Sequence, residues 1–497
     1  MRWGLILITN STSMKKYIAG SRVALFLILA IAFSFCKKAT PEKPLEKPTR
    51  GMTIEDRLKD SVYLYTYYFY LWQDQLPQTF STDAYKTAED VLEQLKSYAK
   101  DPSGKIYDRY SFLDRTGAVN AEIQEGRSGS FGFDVRYNNA TDLYIKLVYP
   151  NSPAARAGLQ RGWQILEING NRELDTAALG ANDFAYLWDA LDNSPQISLV
   201  LKKPDNTTVD VHLDKTNFQI EPVLFSDVYT VGSKKVGYFV FDSFISTETE
   251  DGRGTYVKSG LEDVLSGFER QGVSEVIVDL RYNGGGAVIT SEYLSNMLVP
   301  TAGNGQLMYA YEFNKTLQED GWGEVFQPVK FNKTNGLQPT RIYFLITGGT
   351  ASASELLINN LSPFVDIELI GEDHTYGKPV GFFPIDILKA DLYAVSFKTT
   401  NNLGNGDYFN GMQVDKDAGD DVSKDWGDPE ENMLRQALHY SLTGTFLAST
   451  RSLQAGLRPQ PGISDMQEIN RKLDRHGNKD MFDFRKKVKN IHGPSLF

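Results

Sequence analysis

The sequence predicts a multidomain α+β protein, and three changes of hydrophobic rhythm along its 497 residues predict it. Apolar residues recur at helical spacing from about residue 54 to 98. Short strand patterns broken by turn residues follow from about 129 to 222, and from Lys235 onward strand and helix patterns alternate as in a layered α/β domain. At roughly 100–200 residues per domain, the length holds about three such units.

Taken in order, residues 1–35 read as an export signal. Lys15, Lys16 and Arg22 precede Val23–Phe35, a run of thirteen uncharged, mostly apolar residues that stops at Cys36. The run is shorter than the ~20 residues of a spanning helix. A cysteine at its exit resembles a bacterial lipoprotein signal, which implies lipidation of Cys36 and a membrane-anchored protein on the periplasmic side or the cell surface. The alternative is an uncleaved apolar segment with an incidental cysteine. Residues 36–52 carry three prolines among many charges and read as an extended tether.

Residues 53–127 form the helical region. Tyr63, Tyr65, Tyr67, Tyr68, Phe69, Tyr70 and Trp72 crowd its first helix, a stripe that fits packing against a neighbour or, as the alternative, carbohydrate binding. Residues 128–222 are β-rich, with strands at 131–136, 143–148, 164–168, 197–202 and 209–213 and one helix at about 183–192. In residues 223–446 the strands VGYFVFDSF, SEVIVDL, RIYFLIT and DIELIGE alternate with helical stretches, closing on a helix near residues 430–442. Residues 447–497 are polar and basic, with Arg485, Lys486, Lys487 and Lys489 close together, and read as a flexible tail.

Composition excludes several functions. A net charge of −11 argues against a phosphate-backbone binder, so nucleic acid is not an expected partner. One cysteine permits neither an internal disulfide nor a multi-cysteine metal site. His212, His374 and His439 lie far apart, and the glycines of Arg281–Val288 lack the endings of a phosphate loop, so neither metal nor cofactor is expected.

Ser352 is the most informative residue. It follows the apolar strand Ile342–Ile346 and the bend Thr347-Gly348-Gly349-Thr350, at the first turn of a predicted helix over 351–361. There a hydroxyl sits beside unsatisfied helix N–H groups that favour a developing oxyanion. The same residues also fit a capping box, in which Ser352 and Glu355 satisfy each other's backbone N–H groups. Lys378, among apolar residues, is a candidate base, because burial disfavours an ammonium. His374 is the rival. Gly285, Gly286 and Ala353 are candidate backbone donors to an oxyanion.

Asn151–Asn171 (NSPAARAGLQRGWQILEINGN) resembles the PDZ signature, with Trp163 where that family usually has Asp. With that resemblance, Phe131, Gly132 and Phe133 fit the loop whose N–H groups hold a peptide's terminal carboxylate. Asp279–Gly286 (DLRYNGGG), Thr350–Glu355 (TASASE), Tyr376-Gly377-Lys378 and Gly427–Leu438 resemble, in that order, the C-terminal processing peptidases, or tail-specific proteases. The resemblance covers about residues 54–442. It implies a crotonase-like α/β domain after the PDZ domain and a cofactor-free serine endopeptidase that acts on peptides or proteins with free C-terminal tails. It further implies Ser352 as nucleophile, Lys378 as base, and Ala353 with Gly285 or Gly286 as the oxyanion hole. Phe382 stands where the family often has a lysine-orienting Gln, and Pro379 where glycine is usual. Those departures motivate a competing reading, a lipoprotein that binds peptide tails without cutting them.

Overall fold

The computed structural model describes residues 53–448, 463–475 and 481–484. The predicted export signal, Cys36, the tether and the basic cluster from Arg485 to Lys489 lie outside the described residues.

Helix α1 (Ile54–Phe69) begins at a reciprocal cap: Asp56 N–H donates to Thr53 Oγ1 at 3.1 Å, and Thr53 N–H donates to the Asp56 carboxylate at 3.1 Å. Thr87 and Asp90 repeat the device at α2 (Ala88–Lys96). The aromatic residues crowded along α1 pack inward. Phe69 meets Trp322 edge to face with ring centroids 5.3 Å apart, and Tyr70 Oη donates to buried Asp108 at 2.6 Å. Tyr65, Tyr67, Tyr68 and Trp72 lean on the same core, so the stripe is a packing surface.

Five antiparallel strands in sequential order make the second unit: β1 (Phe133–Tyr137), β2 (Leu143–Val148), β3 (Gln164–Ile168), β4 (Gln196–Lys202) and β5 (Thr208–Asp214). Strand β1 is an edge of this sheet. The predicted helix over 183–192 is the short helix Ala185–Trp188, continued by a wider turn over Asp189–Asn193.

The third unit comprises β6 (Val223–Val231), β7 (Lys234–Phe241), α3 (Tyr256–Gln271), β8 (Glu275–Asp279), β9 (Gly286–Ala287), α4 (Val288–Leu298), β10 (Leu307–Glu312), β11 (Val329–Lys330), β12 (Arg341–Ile346), α5 (Ala353–Leu361), β13 (Asp366–Gly371), β14 (Val380–Phe382), β15 (Val395–Asn401), β16 (Lys416–Asp417) and α6 (Asn432–Thr443). One sheet runs β16-β13-β12-β8-β7-β6 and is parallel apart from β6. Every residue of β8 is buried, which explains its unbroken apolar run. A second sheet carries β14, β15, β10 and β11.

The expectation of a flexible tail after residue 447 is corrected by two stretches. Helix α7 (Ile463–Arg475) lays Met466, Ile469 and Leu473 against the core of the five-stranded unit. Strand β17 (Met481–Phe482) is paired between β9 and β14 in the second sheet. The basic composition of the segment hid a narrow apolar stripe at helical spacing, and that stripe is what packs.

A buried charge cluster ties these parts together. Asp420, whose side chain is fully buried, faces Arg161 at 2.8 Å, Arg281 at 2.8 Å and Arg136 at 3.2 Å. Tyr282 Oη also donates to it. Burial alone would raise the Asp420 carboxyl, but the guanidiniums of Arg161, Arg281 and Arg136 outweigh it and hold the group well below the usual carboxylate range. Arg136 also pairs with Glu372 and with Asp474 of α7, each at 2.6 Å.

Candidate active site

The bend after β12 is stitched to the segment that follows β8. Thr350 Oγ1 donates to Leu280 O at 2.8 Å, Ala351 N–H to Asn283 O at 3.1 Å, and Thr347 Oγ1 to Arg281 O. Two threonine hydroxyls, fully buried with this backbone, fix where the chain turns into α5.

Ser352 sits at that turn with φ 64° and ψ −108°. A residue with a Cβ pays about 1–3 kcal/mol to hold such a conformation. Its Oγ is buried and makes no hydrogen bond, so the hydroxyl is not consumed as a helix cap. Only the glutamate half of the expected capping box carries a hydrogen bond: Ser352 N–H donates to Glu355 Oε2 at 2.8 Å.

Glu355 does more than cap. The same Oε2 accepts Lys378 N–H at 2.8 Å, and Oε1 accepts Gly377 N–H at 2.7 Å and the Thr375 hydroxyl. One carboxylate therefore joins the backbone of Ser352 to the backbone of Lys378. Burial pushes the Glu355 carboxyl above its ordinary value, against the opposing pull of Thr375, Ser352, Lys378 and Gly377.

Lys378 is fully buried. Its Nζ lies 4.0 Å from the centre of the Phe382 ring and 5.1 Å from that of Tyr110. Where a glutamine would have offered a hydrogen bond, an aromatic face lies beside the amine. Tyr110 in turn donates from Oη to Gly377 O at 2.7 Å, which locks it over the lysine. His374, the rival base, turns its ring to the Thr375 carbonyl and to Asp373, 3.3 Å from Nε2, with its side chain 24% exposed.

Of the candidate backbone donors, Ala353 opens α5, so its N–H is one that the helix cannot satisfy itself. Gly285 N–H is engaged by Asn283 Oδ1 at 2.9 Å. Gly286 has φ 138°, and a Cβ there would stand 2.4 Å from Phe244 O, so no other residue fits. The structure thus draws Ser352, Ala353, Lys378 and the glycine segment together.

Phe131, Gly132 and Phe133 take no part in that cluster. Gly132 has φ 82°, and a Cβ would overlap Ser152 at 2.0 Å. Phe131 O accepts Ala154 N–H at 2.9 Å, which ties the loop to the helix after the Ser-Pro turn.

Sequence reasoning missed three contributors. Glu355 was visible only as a cap partner, Asn283 only as a motif letter, and Tyr110, far away in the helical region, gave no signal.

The Peptidase family S41 profile matches residues 235–418, and a PDZ domain profile matches residues 144–181. The carboxyl-terminal-processing protease of Picosynechococcus sp. is 27% identical over 255 residues, covering 51% of this chain and 55% of that protein. The carboxy-terminal processing protease CtpA of Bacillus subtilis is 24% identical over 297 residues, covering 60% of this chain and 56% of its own. The chain spans about half the length of these curated relatives. A crystal structure of a Bacteroides fragilis protein described as an S41 protease superposes with a TM-score of 0.60 at 24% identity, covering 80% of this chain and 100% of that one, a likeness of fold. The PDZ profile falls on the five-stranded unit, and the S41 profile falls on the unit that carries Ser352 and Lys378.

Proposed function

We propose that this chain is a serine endopeptidase that cleaves exported proteins, engages their C-terminal tails through the PDZ domain, and is held at a membrane by a lipid on Cys36. The observation that carries the reading is the single Glu355 oxygen that binds the N–H groups of both Ser352 and Lys378 at 2.8 Å. A carboxylate with that pair of partners positions a nucleophile and a base relative to each other.

In this mechanism Ser352 Oγ attacks the peptide carbonyl carbon while neutral Lys378 takes the hydroxyl proton. Ala353 N–H and the Gly286 segment donate to the tetrahedral oxyanion, since Gly285 N–H is already engaged by Asn283. Collapse of the intermediate breaks the C–N bond, and Lys378 returns the proton to the leaving amine. Water then hydrolyses the acyl-enzyme by the reverse relay. The mechanism takes Lys378 as neutral, and its side chain is fully buried with Nζ 4.0 Å from the centre of the Phe382 ring.

The test is cleavage of an unfolded protein by the chain without its signal. Ser352→Ala and Lys378→Arg should both abolish cleavage while tail binding persists, and His374→Ala should retain most of it. An active Lys378→Arg with an inactive His374→Ala would move the base role to the histidine. Tail binding without cleavage by the unsubstituted chain would establish the non-cutting binder instead.

A further inference from the structure

Strand β17 has an unusual seat. It is two residues long, and it lies between β9, which contains Gly286, and β14, which starts two residues after Lys378. Gly286 pairs with Met481, Ala287 with Phe482, and Phe382 with Phe482, all in parallel register. Asp483 N–H extends the ladder by donating to Phe382 O at 3.0 Å. Each neighbour turns a strand edge toward the same gap, which is one strand wide at roughly 5 Å per strand spacing.

The gap selects side chains as well as backbone. The Phe482 ring lies 5.2 Å from that of Tyr393, 5.7 Å from Phe382 and 6.4 Å from Phe112. Asp483 is buried, and its carboxylate accepts the Tyr311 hydroxyl at 2.6 Å. At Gly381 an added Cβ would stand 2.3 Å from the Phe397 ring and 3.0 Å from Met481 O, so the bare glycine makes room for that ring first and for the backbone of the seated strand second. Main-chain pairing to two edges with a pocket for one ring is the way an extended peptide is recognised by strand addition.

The same segment holds the PDZ edge. Asn470 of α7 accepts Tyr137 N–H at 3.0 Å and donates to Tyr137 O at 2.8 Å, filling both main-chain positions of one residue on β1. Helix α7 also lies on the bend before Ser352, where a Cβ on Gly348 would meet Arg471 at 2.5 Å and one on Gly349 would meet Asp474 at 2.9 Å.

We infer that the slot between β9 and β14 is a binding site for an extended peptide carrying an apolar, an aromatic and an acidic residue in succession, and that Met481-Phe482-Asp483 is its internal occupant. A peptide substrate entering beside Gly286 and Lys378 then has to displace this segment. The catalytic meaning of the slot rests on the peptidase reading, whereas its occupancy by a peptide does not.

The test separates the two by measuring binding in the Ser352→Ala chain. A fluorescent peptide with the sequence of residues 479–485 (KDMFDFR) should bind the full-length Ser352→Ala/Phe482→Ala variant at least about tenfold more tightly than the Ser352→Ala parent, whose slot is filled. The same peptide with Phe replaced by Ala should lose most of that affinity. Should the double variant fail to fold, hydrogen exchange on the parent gives the answer. A millimolar excess of the unlabelled peptide should speed exchange of the 481–483 amides at least about tenfold. A folded double variant that binds no better than the parent, or exchange unmoved by the peptide, overturns the proposal. Binding as described in a chain whose unsubstituted form cuts nothing supports the slot and removes the peptidase reading alone.

Discussion

Replacing Glu355 by Gln is the sharpest perturbation the site offers, because it keeps the shape while it takes away the charge and exchanges one acceptor oxygen for an N–H donor. Both carboxylate oxygens are engaged as acceptors: Oε2 by two N–H groups, Oε1 by one N–H and one hydroxyl. An amide has one acceptor oxygen. If its nitrogen takes the place of Oε2, the N–H groups of Ser352 and Lys378 face a donor. If it takes the place of Oε1, Gly377 N–H and the Thr375 hydroxyl do, and that hydroxyl already accepts Met412 N–H at 2.8 Å. Either orientation strands two buried donors at about 1–3 kcal/mol each, hence about 2–6 kcal/mol in all. With a denaturant slope of roughly 3 kcal/mol per molar, the urea midpoint should fall by roughly 0.7–2 M at pH 8, followed by tryptophan fluorescence. Cleavage should fall with it, since the bend and Lys378 lose their common anchor. A midpoint unchanged within error would show that the carboxyl is already protonated in the native state and that the bridging account is wrong.

Two further outcomes follow from the charges. Asp420→Asn leaves three buried guanidiniums short of their shared anion, and breaking such a cluster costs about 3–5 kcal/mol, so differential scanning calorimetry should show a melting temperature lower by on the order of 10 °C. For Glu355 the native carboxyl lies above its ordinary 4.5, so between that value and the native one the folded chain binds more protons than the unfolded chain. The stability difference between the unsubstituted chain and Glu355→Gln should therefore narrow as pH rises through that interval. A difference that widens instead would contradict the direction of the shift.

Much of the fold was legible because the strands are self-describing. The buried run of β8 and the alternation after Lys235 need no distant partner to be read. Ser352 was legible for a related reason, since strand, glycine bend and helix start lie in one short stretch of chain. The rest depended on contacts that local pattern does not carry. Glu355 reaches Lys378 across 23 residues, and Tyr110 reaches Gly377 across 267. The tail was misjudged because charge dominates its composition while Met466, Ile469 and Leu473, three or four residues apart, do the packing. Arg281 resembled part of a functional motif, yet its partners Asp279, Asp420 and Glu431 make it a structural tie.

The seat of β17 also bears on the order in which this chain matures. Gly286 and Met481 are roughly two hundred residues apart in sequence, so their pairing is among the slowest contacts a growing chain can make. A ribosome adding about 5–20 residues per second delivers β9 and β14 several seconds or more before residue 482 emerges. During that interval both edges stand open, each a template for another strand. A chaperone or a second nascent chain meeting the protein then would find an unfinished sheet beside Gly286 and Lys378, closed only when Met481 and Phe482 arrive.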